Sequence, residues 1–109
     1  MFKNRIYKKE KAFKERLFGT YTDKVAYMEK VILSCQNYDQ LHVAEKWAYD
    51  LTDQWDKFEL LNAPTMRSLG FVTAFCHDIG DKIYEAARTV INKIGERELN
   101  EFREHTKEY

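Results

Sequence analysis

The chain has 109 residues, the length of one domain with its own hydrophobic core. Its 18 basic and 18 acidic side chains balance, so it lacks the net positive charge of a domain given over wholly to nucleic acid. Two cysteines do not make a disulfide scaffold, and no stretch approaches the roughly 20 apolar residues of a membrane span.

The predicted elements are all helical. Residues 1–18 hold seven basic and two acidic side chains, and the remainder carries the opposite excess. The spacing of Phe2, Ile6, Phe13 and Leu17 gives a sparse apolar stripe, so this segment reads as a basic N-terminal helix or arm that contributes little to the core. Gly19 is expected to end it, because glycine takes the left-handed conformation that closes helices. Thr22 is a candidate N-cap for a second helix over 22–36, with Val25, Met28, Ile32 and Cys35 as its stripe. Cys35 and Cys76 both read as small buried hydrophobes. A disulfide between them is open but not needed in a domain of this size.

The next helix, over 38–61, has the clearest start. Asn37 suits the N-cap, Asp39 the positive helix end, and Gln40 the far side of a capping box. Leu41, Ala44, Ala48, Leu51, Trp55 and Phe58 form its apolar face. Asn62-Ala63-Pro64 is the one clear turn, with Pro64 suited to a first helical turn. The last core helix, over 65–94, carries the longest heptad stripe: Leu69, Val72, Cys76, Ile79, Ile83, Ala86 and Val90. Gly70 and Gly80 inside it suggest close approach of a neighbouring backbone or Trp ring. Gly95 is a candidate stop, followed by a charged helical extension in which Arg97 and Glu101 are spaced as an ion pair. Short turns between helices favour antiparallel neighbours. The expected fold is therefore an all-α antiparallel bundle of three to four helices, with a domain over 19–109 and the basic arm before it. Trp47, Trp55, Phe58, Val72, Ile79 and Ile83 are expected in one core.

Three constellations are candidates for chemistry or binding. Lys3, Arg5, Lys8, Lys9, Lys11, Lys14 and Arg16, interleaved with Tyr7 and the phenylalanines, form a partner-binding arm for an acidic protein surface or for nucleic acid. The pairs Asp50/Asp53 and Asp78/Asp81 each share a helix face and, on antiparallel helices, would converge on Mg²⁺. With Asp50-Leu51-Thr52-Asp53 as the first motif, His77-Asp78-Ile79-Gly80-Asp81 resembles the second acidic motif of the all-α MazG-like nucleotide pyrophosphohydrolases. That resemblance implies hydrolysis of nucleoside triphosphates to monophosphates. The family uses mostly glutamates at these places, and more of them. His77-Asp78 also resembles the dyad of the HD phosphohydrolases, whose further histidines and aspartate are absent. No Cys-x-x-Cys, His-x-x-x-His or glycine-rich phosphate loop occurs.

The run Ile32-Leu33-Ser34-Cys35-Gln36-Asn37-Tyr38-Asp39-Gln40-Leu41, followed by Ala44 and Trp47, resembles a pattern in small helical proteins of bacteriophages and mobile elements. The resemblance implies a phage accessory protein that binds or inhibits a host component, and it carries over no functional residues. The reading is a non-enzymatic protein-interaction module without a cofactor, with a host protein as partner and a homo-oligomer compatible. Nothing points to a membrane partner, and the host cytoplasm is the expected compartment. A Mg-dependent pyrophosphohydrolase using the four aspartates, and a nucleic-acid-binding module using the arm, are the alternatives.

Overall fold

A computed structural model describes residues 2–107, with side chains for 5–106. Among these the fold is all-α: α1 spans Phe2–Leu33, α2 spans Tyr38–Asn62 and α3 spans Met66–Lys107. The three form an antiparallel bundle drawn out into a rod of 81 × 17 × 17 Å. α1 and α2 both pack chiefly on α3 and touch one another least.

The first correction concerns Gly19. α1 does not stop there; it continues to Leu33, 32 residues in all. No residue beside Gly19 supplies the turn chemistry that a chain reversal needs, and apolar residues on either side keep the same register. Phe13 and Leu17 before the glycine, and Met28 and Ile32 after it, all enter one core. Residues 2–18 are thus the front half of a core helix. Thr22 does not cap a helix: its hydroxyl donates to the carbonyl of Phe18 at 2.9 Å, inside the helix. Phe2 and Lys3 have no described side chains.

α2 starts as its sequence requires. Asn37 is extended (φ −145°, ψ 170°) and its side chain accepts from the backbone N–H of Gln40 at 2.8 Å. Gln40 reaches back one residue further than a standard capping box and accepts from the N–H of Gln36 at 2.8 Å. Thr65 caps α3 in the same way, accepting from the N–H of Ser68 at 3.1 Å. Pro64 therefore lies before the cap rather than in the first turn. α3 runs through Gly95 to Lys107, a single helix of 42 residues. Arg97 donates to the carbonyl of Gln36 at 2.8 Å and so ties α3 to the α1–α2 turn.

The core holds Trp55, Val72, Ile79 and Ile83 as expected, with Leu41, Ala44, Ala48, Ala86, Ala87, Val90 and Ile94. Trp47 is half-buried and packs against this core, whereas Phe58 is 57% exposed, which corrects its placement there. The glycines also differ from expectation. A Cβ built on Gly70 or Gly80 meets nothing within 4 Å, so neither glycine serves a close approach. Cys35 and Cys76 are free.

One charged pair lies at the heart of the bundle. Glu59 is 1% exposed and accepts two hydrogen bonds from the Arg16 guanidinium, at 2.6 and 3.1 Å. Buried carboxylates need such partners, since an unpaired charge in a low-dielectric interior is costly. Thr52, also buried, donates to the carbonyl of Ala48 at 2.7 Å. No buried side-chain nitrogen or oxygen among the described residues lacks a partner.

Candidate functional site

α2 carries two adjoining apolar stripes. The first, Leu41, Ala44, Ala48, Trp55 and the paired Glu59, is buried in the bundle. The second is Val43, Trp47, Leu51, Phe58 and Leu61, whose steps of four, four, seven and three keep one helix face. Val43 is 69% exposed and Leu61 87% exposed, while Trp47 and Leu51 are half-buried. This second stripe faces the side where α1 and α2 scarcely meet.

At the turn end of that side the two helices border an open apolar trough of about 770 Å³. Val31 of α1 and Cys35 of the turn after it line one side, and Val43, Ala44 and Trp47 of α2 the other. Trp47 is braced edge-on by Tyr27 of α1, with ring centroids 5.5 Å apart and planes at 73°. Lower down, Lys24 sits 5.9 Å from the Trp55 ring centroid. The stripe continues over an open surface with His42, Lys46, Asp50, Leu51 and Gln54.

A second surface lies between α1 and the start of α3. Tyr7, Lys11 and Lys14 of α1 converge there with Arg67 and Phe71 of α3 around a depression of about 270 Å³; Glu10 is its one carboxylate. Lys14 places its ammonium 4.7 Å from the Phe71 ring centroid. Phe18, Tyr21 and Phe75 extend the aromatic surface, with Tyr21 and Phe75 centroids 4.8 Å apart. Of the eight residues singled out in the basic arm, three meet here. Arg5, Lys8 and Lys9 are exposed on the first turns. Arg16 is engaged by Glu59. The side chain of Lys3 lies outside the described residues. Arg67 and Phe71 complete the depression and were not singled out in the sequence. Their signal was only their place in the first two turns after the Thr65 cap.

The four aspartates do not gather. Asp50 and Asp53 are exposed on α2, where Asp53 pairs with Lys57 at 3.0 Å. Asp81 borders a shallow α2–α3 depression with Tyr49, Asp56, Cys76, His77 and Tyr84, and neither Asp50 nor Asp53 lines it. Among the described residues no three His, Cys, Asp or Glu side chains come together as a metal site. The MazG-like alternative therefore lacks the convergent acidic set on which its chemistry depends. Cys76 borders the same depression. Burial, a hydrogen bond to Asp56 and the negative charges of Asp56 and Glu59 push its thiol up to about 12. A thiol held protonated in this way is a poor nucleophile at neutral pH. No helix among the described residues is long and apolar enough to cross a membrane.

Comparison with protein-family models, with curated proteins and with solved structures found no match.

Proposed function

We propose that this protein is an interaction module whose α1–α2 trough receives one amphipathic helix of a partner protein. The observation that carries the reading is the second stripe of α2, large apolar residues in helical register of which Val43, Phe58 and Leu61 stay exposed while Trp47 and Leu51 are only half-buried. From Val43 to Leu61 the stripe runs roughly 27 Å, the length of a five-turn helix. Helix-in-groove recognition uses such a strip, with apolar anchors at three- and four-residue spacing on the incoming helix. Trp47, half-buried and braced by Tyr27, has the character of an interface anchor. The phage-accessory reading, in which the partner is a host component that the module binds or inhibits, rests on the Ser34-Cys35 to Gln40-Leu41 hairpin pattern alone.

The test is a selection from a library of displayed helical peptides, with full-length protein as bait. Enriched peptides should share apolar residues at i, i+3 or i+4, and i+7. They should fail to bind Val43→Glu and Phe58→Glu variants that unfold at the wild-type urea midpoint. A selection that enriches nothing over the Val43→Glu bait would remove the trough as the docking site.

A further inference from the structure

We propose that the acidic end of α3 from one copy of this chain docks its Phe102 ring into the cationic depression between α1 and α3 of a second copy. This contact uses neither the trough nor its partner helix.

Both ends of the rod are single helices that outrun the bundle. At one end, Arg97 marks the level of the α1–α2 turn, and α3 continues ten residues beyond it, roughly 15 Å. Every residue from Glu96 to Thr106 is exposed. At the other end, Lys14 lies level with Phe71. On that register the first turns of α1 project past the start of α3, and Arg5 to Lys9 are exposed. Helices of so few turns are marginal in water without a packed face, so both ends gain from being covered.

The two ends are complementary. Residues 96–104 hold four glutamates against two arginines, while 5–11 hold four basic residues against one glutamate. The α3 end presents Phe102 at 62% exposure and Leu99 at 48%. Glu98 shares the face of Phe102 at i, i+4, and Glu101 precedes it. The depression has matching chemistry. Tyr7 and Phe71 offer aromatic walls, Lys11, Lys14 and Arg67 offer cations, and its volume of about 270 Å³ suits one aromatic side chain. An aromatic knob flanked by carboxylates thus meets an aromatic socket rimmed by cations. Opposite charge at the two ends also steers the encounter and sets its polarity. Knob and socket lie at opposite ends of one chain, so a single copy cannot satisfy itself. Copies close as an antiparallel dimer or continue head to tail.

Sedimentation equilibrium of the full-length protein at low salt reads the contact directly. The weight-average mass should rise above the 13.1 kDa of one chain with concentration, and fall back as salt is added. Phe102→Ala should weaken association about tenfold or more, as loss of an interface anchor does. Two charge-reversed chains, one with Glu98→Lys and Glu101→Lys, the other with Lys11→Glu and Lys14→Glu, should each stay single. Mixed one to one, they should associate again. All these positions are exposed, and far-ultraviolet circular dichroism checks that each variant keeps its helices. A wild-type mass of one chain at every concentration overturns the proposal. So does association that survives both reversals. Labelled single-stranded oligonucleotide provides the rival occupant. If it binds a monomeric wild type and releases from the Lys11→Glu, Lys14→Glu variant, the depression is a phosphate-tracking surface instead.

Discussion

The Arg16–Glu59 pair concentrates the electrostatics of the bundle in two side chains of unequal burial. Arg16 is 47% exposed and Glu59 1%, so removing the arginine strands a carboxylate that water does not reach. Arg16→Ala is expected to destabilise the fold by about 3 kcal/mol, the lower end for a broken buried pair because the arginine side is open to solvent. Replacing both partners, as Arg16→Met with Glu59→Leu, should recover most of that loss. Urea unfolding of the two variants measures the difference. Cys76 sets a separate, pH-dependent term. The native state holds its proton up to about pH 12, whereas an unfolded thiol gives it up near its ordinary value of 9.0. A folded-state value above the unfolded one means that the contribution is complete below pH 9 and is lost as the pH climbs from 9 to 12. The Cys76→Ala protein should therefore show a shallower alkaline loss of stability than wild type over that window. Cys35, shifted in the same direction without Asp56 beside it, should alkylate first when both thiols are exposed to reagent at pH 8.

At the level of elements, the stripes on α2 and α3 were legible because the spacing of apolar residues fixes which face is buried. The Asn37 start was legible because Asn, Asp and Gln at 37, 39 and 40 all suit a helix start, whereas Thr22, read by the same rule, bonds the Phe18 carbonyl inside α1. Gly19 misled because its helix-breaking tendency is worth only about 1 kcal/mol. Burial of Leu17 and Met28 on either side of it outweighs that easily. Phe58 misled because it is in register with Leu51 on a stripe adjoining the buried one. Periodicity reports an apolar face without saying whether a neighbour exists to cover it. The candidate surfaces were only half legible for a related reason. The basic run announced Tyr7, Lys11 and Lys14, but their companions Arg67 and Phe71 come from a helix more than fifty residues away. None of Gly19, Gly70, Gly80 or Gly95 has an atom in the way of a Cβ. Gly19→Ala and Gly70→Ala are each expected to stabilise the fold by about 1 kcal/mol. Raised urea midpoints with an unchanged denaturant slope would bear this out, and lowered midpoints would reveal a demand on these sites that packing does not explain.

The molecule as a whole is asymmetric in what its two ends contribute. Deleting residues 1–18 removes Phe13 and Leu17 from the core and leaves Glu59 without Arg16. That shortened chain should aggregate or melt far below wild type. Ending the chain after Arg97 keeps Ile94 in the core and the hydrogen bond to Gln36. In dilute solution its stability should stay within roughly 0.5 kcal/mol of the full chain, the range of changes on an exposed surface. Calorimetry of both deletions tests the asymmetry, and equal melting losses would contradict it.

The scarcity of backbone contact between α1 and α2 also bears on how the chain finds this structure. Neighbouring helices usually form the first hairpin, but here α1 and α2 approach each other least closely and are joined mainly through side chains, Arg16 to Glu59, Lys24 to Trp55 and Tyr27 to Trp47. α2 and α3 approach more closely, and only Ala63, Pro64 and Thr65 separate them. α1 must instead find α3 across a gap of 57 residues, as between Phe18 and Phe75. Closing so long a loop costs more entropy than closing the α2–α3 turn. The order implied is an α2–α3 hairpin in the folding transition state, with α1 docking after the barrier. In stopped-flow experiments Cys76→Ala, at the α2–α3 contact, should then slow refolding, while Leu17→Ala should chiefly speed unfolding. A ribosome releasing this chain from its N-terminus would thus hold α1 in waiting until α3 emerges, with Phe13 and Leu17 uncovered for most of synthesis.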